Sequence, residues 1–164
     1  MPVIDGADDV VANIERLVRG CKLLDVPAIL TEQYVKGLGP TVAPLRATFE
    51  ETHGYEPIEK ACFSSYGCGE FVAALRNLRK KQLLVAGVET HVCVWQTVLD
   101  LLGNGYDVSV VADAVSSRTP RNRDIALRRM EREGAHLTTT EMALFELLVT
   151  SGTDEFRAIS KLVK

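Results

Sequence analysis

The chain has 164 residues, of which 46% are hydrophobic and 25% charged, and carries a net charge of −3. That length suits one domain with its own core, and the mild negative charge offers no global field to attract nucleic acid or an anionic membrane. No apolar stretch is long enough to cross a membrane as a helix, no secretory leader is evident, and four scattered cysteines suit reduced thiols in a cytoplasmic protein.

The segment Met1–Pro2–Val3–Ile4–Asp5–Gly6 is too short to be a full strand with its own turn. Asp8 can cap a helix in which Val10, Val11, Ile14, Leu17, Val18, Cys21 and Leu24 form an apolar stripe. Val26 to Thr31 reads as a strand with Pro27 near its start. Glu32 to Glu56 holds Gly37, Gly39, Pro40, Pro44 and Gly54 with little periodicity, and reads as a long irregular loop. Ile58 to Phe63 is a short strand. A helix follows with Phe71, Ala74, Leu75 and Leu78 on one face, ending in the basic run Arg79–Lys80–Lys81.

Gln82 to Ala86 is an apolar run of the kind buried in parallel sheets. Gly87 ends it, Thr90 is a candidate N-cap, and Cys93 falls in the first turn of an apolar helix reaching Leu102. A thiol there is eased toward ionisation by free backbone N–H groups. On residues alone, Cys93 is either a small core side chain or a reactive thiol. Asp107 to Ala112 is a further strand. Thr119–Pro120 opens a helix that Gly134 closes, Ala135 to Thr139 is a last strand, Thr138 and Glu141 form a candidate capping box, and a final helix starts near Asp154.

Strands alternating with helices at this spacing indicate a three-layer α/β/α fold, with a mainly parallel, doubly wound sheet and helices on both faces. Ligands in such folds sit beyond the C-terminal strand ends. Those ends gather Cys93, Glu32, His91, Asp113 and Lys60 around one cleft. Each has a plainer role open to it: a solvated strand lysine for Lys60, a loop cap for Glu32, and a holder of local N–H groups for Asp113. Cys62 and Cys68 read as core or loop thiols, and Trp95 as core.

These stretches also carry a resemblance. Gly87–Val88–Glu89–Thr90–His91–Val92–Cys93–Val94 with Thr97, Glu59 to Ser64, and Val111 to Arg118 resemble, in order, three motifs of the isochorismatase-like cysteine hydrolases. Thr31–Glu32–Gln33–Tyr34 with Gly37 to Thr41 is similar to the isochorismatase domain-containing branch. The resemblance spans nearly all of residues 1–164 as a single domain.

It implies Cys93 as nucleophile, Lys60 as the group stabilising its thiolate, and a cis peptide at Val88–Glu89. That bond turns the Glu89 N–H beside that of Cys93 as an oxyanion hole. The reaction implied is cleavage of a small amide-type C–N bond through a thioester. Glu32, Gln33, Tyr34, Phe63, Tyr66 and His91 are the expected pocket residues. Related nicotinamidases carry an Asp/His metal cluster where this chain has Glu32 and Gln33, so the resemblance implies no metal and no cofactor. The expected partners are a small-molecule substrate and further copies of the chain, as a dimer or larger, with neither nucleic acid nor membrane.

The family's first central strand bears its general-base aspartate. Val3–Ile4–Asp5 mimics that strand, but Gly6–Ala7 follows where a glutamine belongs, and the first helix begins too soon. The chain is therefore expected to lack this strand and its aspartate, with Asp5 no substitute. That leaves a second reading: a catalytically impaired member acting as an oligomeric or partner-binding protein. A redox-sensing thiol fits less well, because no resolving cysteine lies close to Cys93 in sequence.

Overall fold

A computed structural model describes residue 1 and residues 3–164. Pro2, part of the opening segment, lies outside the described residues. The elements run α1 (Ala7–Leu23), β1 (Thr31–Gln33), α2 (Val35–Leu38), α3 (Ala43–Thr52), β2 (Ile58–Lys60), α4 (Gly69–Leu78), β3 (Gln82–Val88), α5 (Trp95–Gly103), β4 (Asp107–Ser116), α6 (Pro120–Arg132), β5 (His136–Thr138), α7 (Thr140–Leu148) and α8 (Asp154–Leu162). All strand pairs are parallel. β1 pairs with β2, and β3, β4 and β5 form a second sheet in that order.

The twofold alternation of side chains along a strand divides the core into two layers. Leu83 and Val85 of β3, with Val108 and Val110 of β4, pack toward Phe71, Leu75, Val98, Leu101, Ala126 and Met130 of α4, α5 and α6. Leu84 and Ala86 face the other way, with Val111 and Ala114, toward Leu17, Cys21, Leu144 and Ile159 of α1, α7 and α8. Helices thus cover both faces, as the sequence pattern indicates. Burial lifts the Cys21 thiol to a pKa of about 11, so this cysteine is an inert core side chain.

Between Val85↔Val110 and Gly87↔Val115, two steps along β3 match five along β4. This bulge reverses the facing of β4, so that Val115 rejoins the layer of Val110. Gly87, at φ 117°, supplies the backbone conformation that a side chain resists.

Several boundaries differ from the sequence reading. The segment 26–30 forms no ladder, and β1 starts only at Thr31, where β2 offers partners; Pro27 has no N–H to contribute. The stretch read as a loop contains α2 and α3. Pro44 stands in the first turn of α3, where a missing N–H costs nothing, while Leu45, Thr48 and Phe49 face inward. Thr90 does not cap a helix. Its hydroxyl is buried without a partner, and Val94 N–H reaches back five residues to the Glu89 carbonyl in a wide π-type turn over Thr90–Val94. The α7 cap is Thr139, whose hydroxyl accepts from the Met142 N–H, because Thr138 is committed to β5 opposite Val111.

Candidate active site

The β1–β2 register places Gln33 directly opposite Lys60, which puts both side chains on one face of the small sheet. Lys60 is 6% exposed, so it is no solvated strand lysine. Its ammonium donates to Gln33 Oε1 at 2.6 Å and to the Cys62 and Phe63 carbonyls at 3.0 and 2.9 Å. Three acceptors for three N–H bonds satisfy a buried charge. Gln33 Nε2 donates to the Ala61 carbonyl at 2.7 Å, and the Cys93 thiol, arriving from the π-type turn after β3, points at the same Gln33 Oε1 from 3.9 Å. One amide therefore joins Lys60 and Cys93. The sequence placed Gln33 only among the pocket residues; the β1–β2 register is what reveals the link.

The Val88–Glu89 peptide bond is cis. Beyond it, the Glu89 carboxylate accepts from Arg118 Nε at 3.0 Å and from the Arg118 backbone N–H at 3.3 Å. His91 Nδ1 lies 2.9 Å from Ser117 Oγ and 4.0 Å from Glu89 Oε2. Ser117 and Arg118, at the end of the Val111 to Arg118 motif, anchor this second cluster.

The Cys93 thiol sits above the ordinary thiol range, against the expectation of easy ionisation at a helix start. Half-burial is the largest cause, and the Glu89 carboxylate adds to it. The Lys60 charge and the Glu89 backbone N–H pull the other way. A Glu89→Gln variant removes one upward push, so its alkylation by iodoacetamide at neutral pH is expected to rise about threefold to tenfold, with the pH midpoint lower than in the wild type. Mass spectrometry of the labelled Cys93 peptide against time measures this, and an unchanged or higher midpoint contradicts it.

Glu32 is 8% exposed and faces the loop, accepting from the Thr41 N–H at 2.7 Å and the Tyr55 hydroxyl. Burial pushes its carboxyl up, but the bonds from Thr41 and Tyr55 outweigh this and hold it below its usual value. Such a lowered group stabilises the fold fully above the unfolded carboxylate pKa of about 4.3, and that contribution fades as pH falls through the lower folded value. A Glu32→Gln variant is accordingly expected to be less stable by about 1–3 kcal/mol at pH 7, with the gap to the wild type shrinking below about pH 4 in urea titrations.

Tyr34 and Phe63 are exposed, and Tyr66 packs edge-on against Tyr106 beside the core. Asp113 accepts from the Thr140 N–H and hydroxyl and so holds the start of α7. Trp95 lies against the core with the Arg129 guanidinium 4.1 Å over its ring. Asp5 is exposed in a turn, and its backbone bonds to Ser117 and Ser116. Among the described residues, no group of three or more His, Cys, Asp and Glu is arranged to hold a metal ion, and no helix is long and apolar enough to cross a membrane.

The isochorismatase domain matches residues 3–142. The chain is 42% identical over 156 residues to the secreted isochorismatase effector Isc1 of Phytophthora sojae, covering 94% of this chain and 74% of that protein. It is 41% identical over 155 residues to isochorismatase domain-containing protein 2 of Bos taurus, covering 94% and 73%. Among solved structures, the MAR1 ribonuclease of Caenorhabditis elegans aligns with a TM-score of 0.90 at 36% identity, over 99% of this chain and 82% of that one. YcaC of Pseudomonas aeruginosa, solved with hexane-2,5-diol and covalent acrylamide, aligns at 0.88 and 30% identity, over 98% and 81%. The Escherichia coli YcaC product, described as an octameric hydrolase of unknown specificity, aligns at 0.86 and 30% identity, over 97% and 78%. A sheet of parallel strands with helices on both faces, this domain match and these relatives together establish that the chain belongs to the isochorismatase-like hydrolase family.

Proposed function

We propose that this chain is a cysteine hydrolase of small amide-type C–N bonds, with Cys93 as nucleophile and Lys60 as its charge partner. The observation that carries this reading is the Lys60–Gln33–Cys93 connection, in which a buried ammonium and a thiol meet at one amide oxygen. The Cys93 sulfur attacks the substrate carbonyl carbon. Its proton passes to water or to the Glu89 carboxylate, and the backbone N–H groups of Glu89 and Cys93 stabilise the oxyanion. The C–N bond then breaks, and the amine leaves with a proton. Water attacks the thioester, releasing a carboxylic acid and restoring the thiol. The covalent acrylamide on the Pseudomonas YcaC supports a nucleophile in this fold, since acrylamide is an electrophile.

The same geometry supports a second reading, in which the chain is catalytically impaired, with Asp5 not serving as a general base, and acts as an oligomeric or partner-binding protein. Favouring it, all three Lys60 bonds go elsewhere than the thiol, and Asp5 is exposed in a turn. In either reading the chain is a homo-oligomer. The octameric Escherichia coli relative supports this, as do the exposed side chains of Tyr34, Leu38 and Phe63 near the site. The free cysteines support a reducing, cytoplasmic setting.

A panel of small primary amides, with isochorismate and a short RNA alongside, tests the choice through release of ammonia, pyruvate or cleaved RNA. Amide turnover supports the hydrolase. Turnover of RNA or isochorismate alone replaces its substrate class, and no turnover in a well-folded protein favours the impaired reading.

A further inference from the structure

The orientation of the Gln33 amide is fixed by its partners. Lys60 has no acceptor to offer and the Ala61 carbonyl no donor, so Oε1 must face the ammonium and Nε2 the carbonyl. That orientation leaves Oε1 as the atom the Cys93 sulfur meets. A carbonyl oxygen accepts from a thiol but repels a thiolate. It also occupies the Lys60 N–H that would otherwise turn toward the sulfur, while the Cys62 and Phe63 carbonyls hold the other two.

We propose that Gln33 is a positioning residue that acts through Lys60, holding the ammonium off Cys93 and keeping the thiol protonated until the amide swings aside. The proposal rests on the Cys93–Lys60 reading above. Ionisation of Cys93 then requires two bonds to change together: Oε1 releases Lys60, and Nε2 leaves Ala61 or turns to the new thiolate. The resting site is locked with a neutral sulfur, and the unlocked site pairs a thiolate with Lys60. Two other titratable groups act on the sulfur and oppose its ionisation in both arrangements: Glu89, which also accepts from Arg118, and the Cys62 thiol.

The test is the pH profile of Cys93 alkylation by iodoacetamide, in wild type, Gln33→Ala, Gln33→Glu, Lys60→Met and the Gln33→Ala/Lys60→Met double variant, with folding checked by circular dichroism. Gln33→Ala frees an ammonium N–H for the sulfur and is expected to lower the labelling midpoint by about one pH unit. Gln33→Glu keeps the shape, grips Lys60 harder and adds a negative charge, so its midpoint is expected to rise by about one pH unit or more. The double variant is expected to show no gain over Lys60→Met, because Gln33 acts through Lys60. Should Gln33→Ala not fold, Gln33→Met, which keeps the length without the acceptor, takes its place with the same expected fall. Wild-type midpoints in the folded Gln33 variants, with Lys60→Met shifted, overturn the Gln33 proposal only. An unshifted Lys60→Met midpoint overturns the Cys93–Lys60 pairing beneath it.

Discussion

Cys93→Ala is expected to lower turnover of any amide substrate by about 10⁴-fold or more, because the covalent step loses its attacking atom. The structural cost should be small. Cys93 is only half-buried, and its one hydrogen bond is a long contact to Gln33. Loss of the sulfur there costs no more than about 1 kcal/mol. Loss of activity with an unchanged thermal midpoint is therefore the expected pair of results, read from ammonia release and from thermal unfolding. A variant within tenfold of the wild type would remove Cys93 from the chemistry.

Lys60→Met is expected to slow Cys93 alkylation at neutral pH by about tenfold or more, through the thiolate fraction and not through access. Methionine keeps most of the apolar stem and removes the charge. Burial and Glu89 then act on Cys93 unopposed by Lys60, so the thiol midpoint moves further up. The two profiles should converge at pH values above both midpoints, which a general loss of structure would not produce. The variant also leaves the Cys62 and Phe63 carbonyls without their donor and is expected to be less stable by about 1–3 kcal/mol in urea. Parallel profiles, slowed equally at every pH, would contradict the charge argument.

How much of this the chain discloses differs from element to element. The α1 stripe from Val10 to Cys21, the apolar run of β3 and the Thr119–Pro120 start of α6 are legible, because periodicity and capping chemistry are local. The start of β1 is not, since a strand exists only where a neighbour pairs with it, and β2 meets the chain at Thr31. Pro44 misleads in the other direction, as one residue type both breaks helices and begins them. The motif around Cys93 and the one around Lys60 mark the site, but not its resting state. That state depends on the Gln33↔Lys60 register and on where three ammonium hydrogens go, and neither is written in either motif. The bond from Tyr55 to Glu32 and the edge-on contact of Tyr66 with Tyr106 join residues far apart along the chain, and no motif signals either.

The most direct test of Cys93 as nucleophile is mass spectrometry of the intact protein, acid-quenched during turnover of an amide from the panel and then digested. The expected result is a mass gain equal to the acyl part of the substrate, without its amine, carried by the peptide containing Cys93 and released by hydroxylamine. Turnover with no such adduct, or an adduct that persists in Cys93→Ala, would contradict it.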